Sequence, residues 1–493
     1  MDKKISYALV TLIALIGLWF RIAGIADNHS FWSDEAFVSS YARDIVAGRL
    51  SIAEALGPTA YQPLNVLITT VTFYVFGASE FTARIMYVMF SVVGIVVAYL
   101  LGTKLSNRAG GVLAAFLFAF SQLNLANATQ AKPYTAIETL TLCFFYLIAV
   151  EKTIPKGKLH ASLIAIASAA TLFHYIGVLL WIPYIVFVLL THASKQAIII
   201  TMIVIVCVLL LRIDRMASLL LIQENGKLVF LNNNITYLRE LLWKNYAFIT
   251  LPAFVALYAL IRERKVVAIS MAVWIGALIF LWTFRSPTHN VRYLVPLFGV
   301  LFVLFGTFWG LVEKHLFTKN AFICLLVALG IYAGGYKIVR KPAPYYTPNA
   351  DLTADVQIAD YRTAYSQLLK KYPQHDSYVI VNNVIDSQRW YLNGRVPDAT
   401  FVKTSAWDVE YGKSAIHPLT NKPVYTSAKQ LAGYIQHHPK GVIIIEDWES
   451  ILPDEIKEYA RKNLKRDITV LGLQQAQGDN WPIEIYSWGF NKQ

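Results

Sequence analysis

Asp34 and Glu35 stand side by side in the segment Asn28-His-Ser-Phe-Trp-Ser-Asp-Glu-Ala, directly after an apolar run. A carboxylate against an apolar wall at a membrane surface pays for its charge unless a cation pairs with it. That setting makes general bases and metal ligands. The plainer reading is that the two acids open an interfacial helix, whose amino end favours negative charge. Four cations form the second element: Arg84, Lys132, Arg285 and Arg292. The last two flank a short polar stretch, Phe284-Arg-Ser-Pro-Thr-His-Asn-Val-Arg-Tyr, which also holds His289 and ends on Tyr293. Each cation taken singly reads as a side chain snorkelling to lipid headgroups. Taken together they suit a lipid phosphate, because guanidinium forks and ammonium groups both stabilise phosphate oxygens. His174 at the end of an apolar run is a candidate hydrogen-bonding group. Glu138, one turn after Tyr134, is a carboxylate inside an apolar stretch, which by default marks function.

These residues need a scaffold, and composition says which kind. The chain has 493 residues, 56% hydrophobic and only 15% charged, against about 25% charged in an ordinary soluble domain. Residues 345–493 hold 16 basic and 17 acidic side chains, so the basic excess behind the net charge of +13 resides entirely in the first 344, which hold 28 and 14. Basic excess confined to the apolar part reads as loop charge on a membrane protein, not as a nucleic-acid surface. Cys143, Cys207 and Cys324 each sit in an apolar run and form no disulfide framework.

Apolar runs predict about eleven transmembrane helices, at 5–24, 85–103, 110–124, 135–150, 161–174, 176–191, 196–212, 246–261, 266–284, 293–312 and 321–337. The first is expected to be retained rather than cleaved. Placing Lys3 and Lys4 in the cytoplasm puts Lys104/Arg108, Lys152/Lys156/Lys158, Lys195, Arg262/Arg264/Lys265 and Lys314/Lys319 on inner loops. The candidate residues then share the outer face. Residues 64–77 are too short to span and are expected to lie in the interface or re-enter. The long outer loop 213–245, which carries the Asn234-Ile-Thr sequon, is a candidate cover.

After Lys341-Pro-Ala-Pro the composition changes. Short β-branched runs at 377–383 and 441–447 alternate with helical spacing at 351–371, 427–438 and 449–464. This predicts a soluble α/β domain with a mostly parallel sheet. Glu446 and Asp447 end one strand, a place where such folds put ligands. The chain thus divides into a membrane domain, 1–342, with an outer loop 25–84 carrying the Asp-Glu pair, and an extracytoplasmic domain, 343–493. No glycine-rich phosphate loop or zinc spacing is present.

The order of motifs resembles the GT-C glycosyltransferases, in particular the branch of protein O-mannosyltransferases and lipid A aminoarabinose transferases. The likeness is carried by Arg21-Ile-Ala-Gly-Ile, Phe31-Trp-Ser-Asp-Glu-Ala, Tyr61-Gln-Pro-Leu and Phe76-Gly-Ala-Ser-Glu-Phe-Thr-Ala-Arg84. Gln130-Ala-Lys-Pro-Tyr134, Phe173-His-Tyr-Ile-Gly and Arg292-Tyr-Leu-Val-Pro296 follow in order. The resemblance implies a polytopic α-helical membrane enzyme of GT-C type with a C-terminal soluble α/β domain. Such an enzyme moves a sugar from a polyprenyl-phosphate carrier to a lipid, glycan or protein acceptor outside the membrane. By resemblance Asp34 matches the catalytic aspartate and Glu35 its companion. Tyr61, Gln62, Arg84, Gln130, Lys132, Tyr134, His174, Arg285, His289, Arg292 and Tyr293 are the expected substrate- and phosphate-binding set. The family usually has an acid where Gln130 stands, and often His or Lys and a second Pro around positions 61–62. That departure puts a divalent metal in doubt. A transporter or flippase with an outer α/β domain is the rival class; it calls for functional polar groups near the bilayer midplane, where most of these helices are apolar.

Overall fold

In a computed structural model the described residues are 1–23, 30–56, 62–191, 238–285, 291–316, 338–343, 359–403, 420–446, 452–472 and 482–490, with a few single or paired residues between them. The chain forms two compact units. The first comprises 1–28, 59–72 and 81–353; the second comprises 29–58, 73–80 and 354–493. Segments 29–58 and 73–80, assigned from sequence to the first 342 residues, therefore cluster with the C-terminal part.

The first unit is helical. Its helices are α1 (Lys3–Ile22), α5 (Glu80–Leu105), α6 (Arg108–Phe120), α7 (Gln122–Ala128), α8 (Tyr134–Ala149), α9 (Lys156–Phe173), α10 (Trp181–Leu190), α11 (Ala247–Glu263), α12 (Lys265–Arg285) and α13 (Val295–Leu316). α2 (Ser33–Val46) and α3 (Ile52–Leu56) belong to the second unit, and α4 (Pro63–Phe76) passes from one to the other. Helix starts follow local chemistry: Asp2 accepts from the amides of Lys4 and Ile5, and Asn107 from that of Gly110. Such caps satisfy amides that have no partner one turn back.

Lys3–Ile22, Glu80–Leu105, Lys265–Phe284 and Val291–Val312 are long and apolar enough to cross a membrane. Shorter apolar helices run over Pro63–Phe76, Arg108–Phe120, Tyr134–Ala149 and Tyr175–Leu190. The expected spans 196–212 and 321–337, with Cys207 and Cys324, lie outside the described residues, as do Asn234 and most of loop 213–245. Residues 64–76 are helical, and α4 leaves Val71, Tyr74, Val75 and Phe76 exposed. α13 is the most buried of the four long helices. It approaches α6 at Gly110 and Gly306, where a Cβ on Gly110 would come 2.3 Å from the Gly306 carbonyl oxygen.

In the second unit, α14 (Tyr361–Lys371), α15 (Ile385–Tyr391), α16 (Ala428–His437) and α17 (Asp454–Asn463) accompany six strands. These are β1 (Val379–Val381), β2 (Thr400–Phe401), β3 (Val424–Tyr425), β4 (Gly441–Glu446), β5 (Lys465–Val470) and β6 (Ile483–Trp488). β2 and β3 form a parallel pair. The four-stranded sheet runs β1-β4-β6-β5, with β1 parallel to β4 but β4–β6 and β5–β6 antiparallel. The expectation of a mostly parallel sheet is thus wrong for this sheet. The continuous apolar run of β4 is that of a strand buried at every position. β5 and β6 instead add as an antiparallel ladder, which needs no crossover helix. One apolar cluster includes Tyr361, Tyr365, Ile380, Val442, Ile444 and Ile485. Another includes Val381, Leu431, Ile443, Ile445 and Ile456. Alternate β4 residues thus serve different clusters.

Candidate functional site

Asp34 lies in the first turn of α2, partly exposed, and Glu35 beside it is fully buried. The Glu35 carboxylate turns back to accept the Trp32 amide at 3.3 Å, as a capping residue does. Glu35 therefore shapes the helix start that presents Asp34.

α15 grips α2 along its length. The Phe31 amide donates to the Tyr391 hydroxyl at 2.8 Å, and that hydroxyl donates to Glu80 at 2.8 Å. Glu80 also accepts a forked pair of hydrogen bonds from Arg362. Burial first, and then the Glu80 charge, push the Tyr391 hydroxyl well above its ordinary pKa, so it remains a proton donor. Ser33 donates to Asp386 at 3.3 Å. Farther along, Arg389 gives Asp44 two hydrogen bonds, 3.0 and 2.7 Å, while its guanidinium lies 4.0 Å from the Tyr41 ring centre. Arg43 donates to the carbonyls of Trp390 and Arg389 and sits over the Trp390 ring at 5.0 Å. Phe31 packs on the same indole, with ring centres 4.9 Å apart.

The first unit gathers a different group. Tyr134, at the start of α8, has ring-centre distances of 5.4 Å to His174 and 5.6 Å to Tyr293. Arg292 lies 5.8 Å from the Tyr134 ring centre and 5.1 Å from that of Tyr293, and donates to the Tyr293 hydroxyl at 3.2 Å. His174 Nδ1 accepts the Ile176 amide at 3.3 Å, which assigns the ring proton of the neutral imidazole to Nε2. A cation bordered by aromatic faces and a neutral imidazole can hold an anionic oxygen while the rings pack on an apolar or sugar face.

Arg84 is fully buried and reaches the Ile25 carbonyl at 3.4 Å. Lys132 and Gln130 are also buried, in a tight turn where the Lys132 amide donates to the Gln130 carbonyl at 2.8 Å. Gln62 accepts from Asn65 at 2.8 Å, and Asn65 accepts from Tyr87. Tyr61 and His289 lie outside the described residues, as does the side chain of Arg285. Among the expected residues, then, Tyr134, His174, Arg292 and Tyr293 come together in one cluster. Asp34 and Glu35 belong to the second unit, while Gln62, Arg84, Gln130 and Lys132 belong to the first.

Glu35 is engaged in its helix cap, position 130 offers a neutral amide, and no group of three or more His, Cys, Asp or Glu suited to a metal occurs among the described residues. Glu446 is buried and accepts from Tyr361 at 2.8 Å; Asp447 is outside the described residues.

Two buried charged residues stand outside the expected binding set. Arg21, at the end of α1, is fully buried and donates to Ser91 Oγ at 2.8 Å, to the Gly17 and Ala119 carbonyls at 2.9 Å, and to the Phe118 carbonyl at 3.4 Å. Glu138, the carboxylate noted in an apolar stretch, is buried at 1% exposure and faces Gly299 of α13. The signal for Arg21 was a charge at the end of an apolar run. No local signal pointed to Asp386, Arg389 or Tyr391.

Residues 60–213 match the sequence profile of the dolichyl-phosphate-mannose-protein mannosyltransferase family. No curated protein matches the chain. Among solved structures, ArnT from Cupriavidus metallidurans in the apo state aligns over 98% of this chain and 97% of its own, at 12% identity and a TM-score of 0.60. The same protein bound to undecaprenyl phosphate aligns over 99% and 98%, at 13% identity and a TM-score of 0.60. The Archaeoglobus fulgidus oligosaccharyltransferase aligns over 90% of this chain and 70% of its own, at 12% identity and a TM-score of 0.60. Likeness at such identities is a likeness of fold.

Proposed function

Because the chain has the fold of the GT-C glycosyltransferases, we propose that it is a multi-pass membrane enzyme transferring a sugar from a polyprenyl-phosphate carrier to an acceptor hydroxyl or phosphate on the extracytoplasmic face. The observation that carries the reading is the cluster of Arg292, Tyr134, Tyr293 and His174, a cation framed by aromatic rings. The solved relatives support it: one ArnT structure holds undecaprenyl phosphate, and an archaeal oligosaccharyltransferase structure holds a dolichol-phosphate with an inhibitory peptide. The proposed architecture is about eleven spans in 1–342, with a soluble α/β domain in 343–493.

In this reading the Asp34 carboxylate takes the proton of the acceptor hydroxyl as its oxygen bonds to the sugar C1. The bond from C1 to the phosphate oxygen breaks, and the polyprenyl phosphate leaves with the electron pair. Single displacement inverts C1. Arg84, Lys132, Arg285 and Arg292 stabilise the charge growing on the phosphate, each preorganised donor being worth about 2.7–4 kcal/mol. Tyr61, Gln62, Gln130 and His289 complete the substrate-binding set, and Glu35 holds the helix turn that bears Asp34.

The test is a donor screen. Purified protein is given labelled polyprenyl-phosphate sugars, with and without chelator, and release of polyprenyl phosphate is followed. Consumption of one donor is expected; no release from any of them, alongside transport of the intact lipid across vesicles, would replace the transferase with the transporter.

A further inference from the structure

The helix ends opposite Tyr134 enclose a second charged feature. α8 runs about 24 Å from Tyr134 to Ala149. Around its far end lies a cleft of about 370 Å³, lined by Lys104 at the end of α5, Glu151 and Lys152 after α8, Glu263 at the end of α11, Arg264, and Lys265 at the start of α12. That volume lies within the range of small-ligand sites. Four cations face two carboxylates, and among the described residues no ion pair joins any two of the six. Lys104 and Arg264 are half-buried, whereas Lys152 and Lys265 are exposed. Half-burying cations without a partner costs solvation that a bound anion returns. The first amides of α12 border the same cleft and have no partner one turn back, and Val266 and Val267 are among the lining residues. The outer face of α11 leaves Phe254, Val255, Tyr258 and Ile261 exposed, an apolar track leading to this end of the helix.

We propose that this cleft binds the phosphate of an anionic membrane lipid, whose acyl chains lie along the exposed face of α11. The loops concerned are those that the positive-inside rule assigns to the cytoplasm, so the ligand belongs to the cytoplasmic leaflet. The site stands apart from the transfer chemistry and does not depend on it.

The experiment uses the full chain purified in detergent, with bound lipid counted by native mass spectrometry. Short-chain phosphatidylglycerol, phosphatidylcholine of the same chain length, and inorganic phosphate are the three probes. Wild type is expected to retain phosphatidylglycerol over phosphatidylcholine. Arg264→Gln and Lys104→Gln should each weaken that binding about tenfold, one charge-assisted hydrogen bond's worth. Lys158→Gln, an exposed lysine that does not line the cleft, should leave it unchanged. Thermal melting without lipid separates a misfolded variant from a weakened site, and Arg264→Lys, which keeps the charge, should restore most of the affinity. Equal retention of both lipids, or equal binding by the Gln variants that melt like wild type, overturns the proposal. Displacement of phosphatidylglycerol by inorganic phosphate at matching concentration assigns the cleft to free phosphate and overturns the lipid.

Discussion

Removing the Arg389 guanidinium should loosen the helix that carries Asp34. Arg389 donates to Asp44 at 3.0 and 2.7 Å, and the Asp44 side chain is only 5% exposed. Breaking a buried pair costs about 3–5 kcal/mol because the surviving charge loses its partner. Asp44 keeps Arg49 at 2.6 Å and has Arg43 at 3.5 Å. Arg389→Ala should therefore fall at the low end, about 3 kcal/mol, or roughly a hundredfold in the local opening equilibrium. The assay is hydrogen exchange of the α2 amides from Ala36 onward, with β4 as internal reference. Faster exchange in α2 with β4 unchanged is the expected pattern, and Arg389→Lys should give only partial protection because an ammonium cannot make the fork. Unchanged α2 exchange in Arg389→Ala would refute the claim that α15 holds this helix. Equal acceleration in β4 would mean global unfolding instead of local release.

Other consequences are open to simpler measurements. Arg292→Ala should weaken polyprenyl-phosphate binding about ten- to a hundredfold, the loss of a charge-assisted contact, measured as a Kd in nanodiscs. Gly299→Ala would place a Cβ 2.8 Å from Glu138 Oε1, and the thermal midpoint should drop with a cost of about 1–3 kcal/mol. Asp467 sets a pH limit. Burial raises its pKa, but hydrogen bonds from Lys371, Ser487, Tyr372 and Lys465 outweigh that and bring it from 3.8 to about 2. The folded form is the weaker proton binder, so its stabilisation is complete above about pH 4 and lost as pH falls towards 2. Acid unfolding of Asp467→Asn should accordingly show a shallower slope across that window.

Much of the helical scaffold could be read because a bilayer demands long apolar runs, and nine of the eleven expected spans coincide with described helical segments. The Asp-Glu pair was readable for a similar reason: its acids stand at a helix start, which has a local pattern. What holds that helix was not. Arg389, Trp390 and Tyr391 lie some 350 residues away, and tertiary contacts at that separation leave no spacing to recognise. In the sheet, β4 announced itself by a continuous apolar run, whereas Ile468 and Val470 in β5, and Ile483 and Ile485 in β6, carry the two-residue alternation of antiparallel strands. Reading only the continuous runs led to the parallel assignment. Glu138 is a related case, since its burial depends on Gly299 leaving room on a helix far along the chain.

The catalytic assignment comes down to the carboxylate at position 34. The decisive measurement is a single-turnover assay with the donor found in the screen, comparing wild type with Asp34→Asn and following transfer and donor binding separately. Loss of transfer by at least a hundredfold with donor affinity retained is what a proton-accepting base predicts. Transfer by the variant at the wild-type rate would take that role from Asp34.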